Sequence, residues 1–536
     1  MIGAKTLFTL ATAMVVAVAS AACLGLSARP ASSAYFKPSE TLNWGESGPD
    51  SLDPHATRTT SDEYIKLNLY DTLYRYSGNP PNLVPWLATG YDVSSDNLTF
   101  TFSLRHGVKF HDGSELTADD VVYSFRRLLG MKLAPSAAFW PILKAENVSA
   151  PDRYAVKFVL DKPYAPFLAA LPLVAIVEKA RVEAHAVGGD WAAPWLAAND
   201  AGSGPYIADP GTFSASQKVQ ITWFPDYFVP WPEHPVKHVN IDTIKEESTL
   251  VLALLKGEVD GTDTRISANA IDRLKDAKNV ELAHDESMRT FQLTMDNARK
   301  PFDNIHVRKA ISYAFDYDGF IDSLRADTVV RNPGPLPENV WGNPKDLKGY
   351  SFDMAKAKAE IDLAEKDGVD LSRTLTIWGF TGTQDTELAA ELLQSNLRQL
   401  GIRLDIKNAY FGTLASMTAK EQTSPDIWAH WVSASFVDPE NWIGEMYDSQ
   451  FHGTWKASAW YENPTVDDLL RQARTTLDQT TRTALYEQAS RLIVADAPAV
   501  WIYNAVEYRG LSARISGYRY SVVGGGTEFR TMSLAQ

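Results

Sequence analysis

The chain of 536 residues holds one cysteine, Cys23. No disulfide can form within it, so its stability must come from burying large cores. Basic residues are in deficit. Lys and Arg number 51 against 66 Asp and Glu, a formal net charge of −15. That balance disfavours nucleic acid and anionic membranes as partners. Enzyme signatures are also missing: there is no G-x-x-x-x-G-K-[ST], no H-E-x-x-H and no G-x-S-x-G. Disorder is excluded by composition, with 45% hydrophobic and 22% charged residues. At roughly 100–200 residues per domain, the length predicts two or more domains.

The one long apolar run is at the start. Lys5 precedes an uncharged stretch from Leu7 to Val18, followed by small residues. This is the layout of a secretory signal peptide, expected over residues 1–34, and it is shorter than the ~20 residues of a membrane span. Cleavage after Ser20-Ala21-Ala22 would leave Cys23 as an N-terminal lipid anchor. Cleavage after Ser32-Ser33-Ala34 would leave no cysteine, and Ser20 departs from the leucine that a lipidation site prefers. A periplasmic location is expected.

After the leader, helices and strands mix without repeats, which predicts an α/β protein rather than a solenoid or propeller. Asn97–Arg105 alternates polar and apolar residues and predicts a strand; His111–Ser114 reads as a turn. Thr117 opens a helix with Asp119 and Asp120 in its first turn, and Val121, Val122, Phe125 and Leu129 follow at helical spacing. Residues 248–256 read as a helix capped by Gly257, and 385–400 as a helix stopped by Gly401 before a strand over 402–406. Residues 467–495 give one or two more helices. Four prolines among the aromatics of 223–238 predict a surface loop, and 522–529 reads as a glycine turn.

Candidates for chemistry are few. Gly524-Gly525-Gly526 has no long helix after it and makes a poor phosphate loop. His106, His111 and Asp112 fall at a strand end and a turn; they read as exposed turn residues rather than convergent metal ligands. Asp119-Asp120 and Asp467-Asp468 suit helix N-termini. No catalytic residue, cofactor or metal is expected.

"LATGYDVSSDNLTFTFSLRHGVKFHDGSELTADDVVYSF" (87–125) resembles the signature block of the family 5 extracellular solute-binding proteins, the receptors of bacterial ABC importers for peptides, opines, oligosaccharides and nickel. "SLDPH" (51–55), "GSGPY" (202–206), "ALLKGEVD" (253–260), "PFDNIHVRKAISYAFDYDGFI" (301–321), "WYENPTVDDLLRQAR" (460–474) and "YEQASRLIVADAP" (486–498) continue the resemblance in order. It implies a two-lobed periplasmic binding protein fold (type II, cluster C) with an extra domain on lobe one. Lobe one would comprise 35–57, 181–290 and 507–536, the extra domain 58–180, and lobe two 291–506. The implied protein is a monomer that holds a small solute between its lobes and delivers it to a cognate permease. An exported enzyme or an envelope chaperone are the alternative classes.

The resemblance places the cleft wall in IWAHWVSASFVDPENW (427–442). Peptide-binding members carry an acid three residues after the tryptophan, which pairs with the peptide's amino group. Here that position is Ala434, and the segment before Asp438-Pro439 is one residue longer. Either Glu46 or Asp438 takes over the ammonium, or the ligand is an opine or oligosaccharide. The expected ligand-binding residues are Glu46, Ser47, Tyr410, Trp428, Trp431, Ser433, Ala434, Ser435, Phe436 and Asp438. Trp428 and Trp431 lie three apart, so on a strand they face opposite sides and at least one belongs to a core.

Overall fold

The computed structural model describes residues 36–46, 48–56, 60–140, 142–262, 266–324, 328–523 and 526–535. The leader, Cys23, Ser47 and Gly524-Gly525 lie outside the described residues.

One large mixed sheet runs through the molecule. Its order is Leu404–Ala409, Leu375–Phe380, Ile427–Val432, Val280–Met295, Ala499–Ser512, Gly261–Thr262, Thr41–Glu46, His238–Thr243, Lys218–Trp223 and Tyr206–Ala208; Val329–Arg331 pairs separately with Ala499–Ser512. Val280–Met295 and Ala499–Ser512 are 16 and 14 residues long, roughly 50 Å at ~3.3 Å per residue. They run antiparallel, and their register slips between Glu286 and Thr290 and again between Phe291 and Gln292. On one side of the slip Ala499–Ser512 meets Gly261. On the other, Thr290–Met295 pairs with Ile427–Val432. These two strands therefore carry the chain between the two lobes, with an irregular ladder where it crosses. Such breaks bend and twist a strand pair.

The cores follow the same division. One apolar cluster joins residues from Leu42 to Ile241 with Leu511 to Leu534. Two others cover opposite faces of the distal half-sheet. A third body is built on a four-stranded antiparallel sheet, Ala88–Val93, Thr99–Leu104, Ala155–Val159 and Val148–Asp152, whose core spans Leu73 to Ile176.

Local chemistry explains the elements. Phe100, Phe102 and Leu104 alternate into the core, as the period of two predicts. Thr117 precedes the helix Ala118–Met131, and the Asp120 carboxylate accepts from the Thr117 amide at 2.9 Å. Gly257 closes Glu247–Lys256 at φ 72°. Gly401 (φ 79°) follows Gln384–Gln399, and the next strand is Leu404–Ala409, two residues later than the alternation suggested. Residues 467–495 resolve into Pro464–Thr475 and Gln479–Asp496.

Two expectations change. His111 is not an exposed turn residue: its side chain is 1% exposed, with Nδ1 2.7 Å from Asp200 and Nε2 2.9 Å from the Gly204 carbonyl. Asp467 does more than face a helix N-terminus, since it accepts from the amide and hydroxyl of Ser449 at 3.1 and 2.7 Å.

Candidate ligand cleft

All six residues of Ile427–Val432 are buried, because both faces of this interior strand are covered. Ile427, Ala429 and Trp431 enter one core with Phe291, Leu293 and Met295. Trp428 and His430 point the other way. Trp428 Nε1 donates to Ser458 at 3.0 Å and its ring stacks on His430 at 3.9 Å. Burial pushes His430 down to about 3, so it is neutral, with Nε2 2.8 Å from the Thr294 hydroxyl. Trp431 keeps 8% of its surface; Nε1 donates to the Tyr503 hydroxyl at 3.1 Å, and Arg289 lies over its ring at 4.8 Å.

The loop after Val432 is pinned by Asn441, which donates to the Ser433 carbonyl at 3.0 Å and accepts from the Ser435 amide at 3.2 Å. Ser433 is exposed and Ser435 half-buried. Ala434 is buried in an apolar cluster with Met288, Val432, Trp442 and Val522. Phe436 leaves the lobe altogether. It is 1% exposed and packs into the core of the four-stranded body. The Val437 amide beside it donates to the Tyr76 hydroxyl at 2.9 Å, and Tyr76 donates to the Ala169 carbonyl at 2.8 Å. The Ala165 amide donates to the Arg474 carbonyl at 2.8 Å, completing the seam.

Behind the loop lies a buried charge cluster. Arg482 donates to both oxygens of Asp438 at 2.9 Å. Arg474 bridges Glu440 and Asp448, at 2.8 Å to each. Lys456 pairs with Glu445. Burial pushes Glu440 up to about 7 against the pull of Arg474. Each of these four carboxylates has a cationic partner, so the Asp438 charge is already met by Arg482.

The remaining expected residues are scattered. Glu46 is fully buried at the end of Thr41–Glu46, on the opposite lobe. Tyr410 stands 74% exposed before the helix Phe411–Thr418, apart from the loop. A pocket of about 70 Å³ opens beside the seam, lined by Lys66, Arg75, Tyr76, Trp86, Ser521 and Val523 among others. Arg75 is held there by Glu528 and lies 4.1 Å from the Trp86 ring.

Sequence reasoning missed Arg289, Thr290, Tyr76 and Asn504. A signal for Thr290 was present: Thr290-Phe291-Gln292-Leu293-Thr294-Met295 alternates strictly and marks a strand with one polar face.

A two-lobed α/β receptor fold with a hinge of two crossing strands is the class this geometry defines. Residues 82–453 match the family described as bacterial extracellular solute-binding proteins, family 5, and the chain belongs to that family. It is 30% identical to the probable D,D-dipeptide-binding periplasmic protein DdpA of Escherichia coli K12, over 88% of this chain and 90% of that one. It is 26% identical to the dipeptide-binding protein of the same strain, over 92% and 95%. Among solved structures it resembles the periplasmic binding protein DppA of Helicobacter pylori in complex with the peptide STSA, with a TM-score of 0.81 and 25% identity over 92% of this chain and 98% of that one. The relatives are binding proteins rather than enzymes. Among the described residues no helix is long and apolar enough to cross a membrane.

Proposed function

We propose that this protein is the solute-binding receptor of a peptide-class ABC importer. It is exported to the periplasm, captures a short peptide or peptide-like solute between its lobes, and presents the closed form to a membrane permease. The observation that carries this reading is the seam at Tyr76, Phe436 and Val437, together with the two strands that cross between lobes. A loop that reaches across a hinge gives a closed state, and a ligand touching both sides stabilises it. No bond is made or broken, and the protein works as a monomer.

The lobe boundaries read from the sequence belong to this proposal: 35–57, 181–290 and 507–536 for lobe one, 58–180 for the extra domain and 291–506 for lobe two. The register slip at Glu286–Thr290 supports a crossing near residue 290. Within the cleft, Ser433 and Ser435 face the ligand from lobe two, and Glu46, at the end of Thr41–Glu46, stands on the lobe-one side. An opine or oligosaccharide receptor is the second reading, favoured by the cationic partner on every carboxylate behind the 433–438 loop.

Native mass spectrometry of the protein as purified tests the role. The expected result is a bound species in the mass range of a short peptide, released on mild unfolding. A bound sugar or opine would turn the assignment to the second reading.

A further inference from the structure

Where the two lobe-crossing strands slip register, buried side-chain atoms lack a hydrogen-bond partner among the described residues: Arg289 through Nε, and three polar side chains beside it. The three are Thr290 through its hydroxyl, Asn504 through Oδ1, and Asn332 through both Oδ1 and Nδ2. Thr290 and Asn332 are fully buried, and Asn504 is 7% exposed. They are neighbours by topology. Thr290 is the register partner of Asn504 on one side and of Val432 on the other. Asn504 is in turn the partner of Val330, and two residues on, the Asn332 amide donates to the Ile502 carbonyl at 3.0 Å. Val432 leads directly into Ser433-Ala434. The row therefore lies at the register slip, next to the Ser433-Ala434 loop.

A buried polar atom without a partner is unfavourable, and adjacent residues in that state point to a group that is to be received. The charges nearby define what it can be. Asp438, Glu440, Glu445 and Asp448 are each paired with a cation. Arg331 is spent on the Trp501, Ile502 and Tyr350 carbonyls. Arg289 lies over Trp431 with Glu507 3.8 Å away. Among the described residues, the four carboxylates behind the loop are already matched by cations, so an ammonium seated here would have to share one of them, and burying a charge without its own partner is strongly unfavourable. Hydroxyl and carboxamide groups instead match a neutral amide, whose N–H suits Asn504 Oδ1 and whose C=O suits Asn332 Nδ2.

We infer that Thr290, Asn332 and Asn504 form a ligand-binding row that receives an uncharged amide or acylamino group, so that this receptor favours peptides whose amino end is blocked over peptides with a free ammonium. The inference rests on the peptide-receptor reading and narrows it.

The test is calorimetric titration of the full mature chain, stripped of ligand by partial unfolding and refolding, with two pools. One holds N-acetyl dipeptides, the other the same dipeptides with free amino ends; a periplasmic small-molecule extract is the third probe. The blocked pool is expected to bind about tenfold or more tightly than the free pool. Thr290→Val and Asn504→Leu are expected to weaken blocked-peptide binding about tenfold each while leaving the melting temperature of the unliganded protein the same or higher. Equal or tighter binding of free-amino peptides overturns the inference. So do variants that lower the melting temperature but keep wild-type affinity, which would make the row a structural water site. Binding from the extract with neither pool bound overturns this inference and leaves the receptor role standing; no binding from any of the three overturns both.

Discussion

The backbone amide of Val437 donates to the hydroxyl of Tyr76 at 2.9 Å, across 361 positions of sequence. Phe436, one residue earlier, is buried in the core to which Tyr76 belongs. The loop that follows an interior strand of one lobe is thus completed by a body on the other side of the hinge. In the proposed closure Phe436 is the plug and the Val437–Tyr76 hydrogen bond the latch.

Phe436→Ala is expected to lower the unfolding free energy in urea by about 3 kcal/mol and to enlarge the unliganded protein in small-angle scattering. Tyr76→Phe keeps the ring but leaves the Val437 amide without its acceptor; a loss of about 1–2 kcal/mol is expected, with a smaller expansion. Loss of stability with an unchanged scattering curve would show that the seam holds the fold and not the closed state.

Asp438 is expected to act in the architecture of the loop. Both of its oxygens are held by Arg482, and Oδ1 also accepts from the Glu440 amide at 3.0 Å. Asp438→Ala strands a buried guanidinium and is expected to cost about 3–5 kcal/mol. The double variant Asp438→Leu with Arg482→Met is expected to recover much of that loss. Urea denaturation of the two variants checks this. Loss of ligand affinity at wild-type stability in Asp438→Ala would instead put the carboxylate in contact with the solute.

Burial, followed by the nearby Asp112 and with Asp120 adding to it, pushes Glu178 up to about 7 against the pull of Arg181. The folded protein therefore keeps a proton here that the unfolded chain has already released above the ordinary glutamate value. Because the native state binds more protons across that interval, this group makes stability fall as pH rises from 4.5 to about 7. Glu178→Gln is expected to flatten that decline, with a gain on the order of 2 kcal/mol at neutral pH. Denaturation midpoints of wild type and variant across this range check it. Parallel curves would contradict the assignment.

Local signals in the sequence carried much of the fold. The alternation around Phe100 and Phe102, the cap at Thr117 and the stops at Gly257 and Gly401 each act within a few residues, and each appears in the structure. The opposite faces of Trp428 and Trp431 follow from strand geometry alone. What was not legible depends on partners distant in sequence. Asp438 meets Arg482 44 positions later, and nothing between them announces the pair. Phe436 reads as a wall residue until the core that receives it is assembled from residues 73–176. Thr290 and Asn504 look like ordinary strand residues; only the register slip leaves their polar atoms buried and unmatched. His111 was misread because its cover, Asp200 and Gly204, comes some 90 positions downstream.

A peptide-like solute is expected to bind the native protein between its lobes. The most direct measurement is the melting temperature of the mature, ligand-stripped protein titrated with peptide pools and a periplasmic small-molecule extract. A solute that binds only the native state must raise that temperature in proportion to the logarithm of its excess over Kd, by about 2.7 kcal/mol of stabilisation at a hundredfold excess. Such a rise is expected, reduced in Phe436→Ala because its closed state is weakened. A melting temperature unmoved by every pool and by the extract would contradict that expectation.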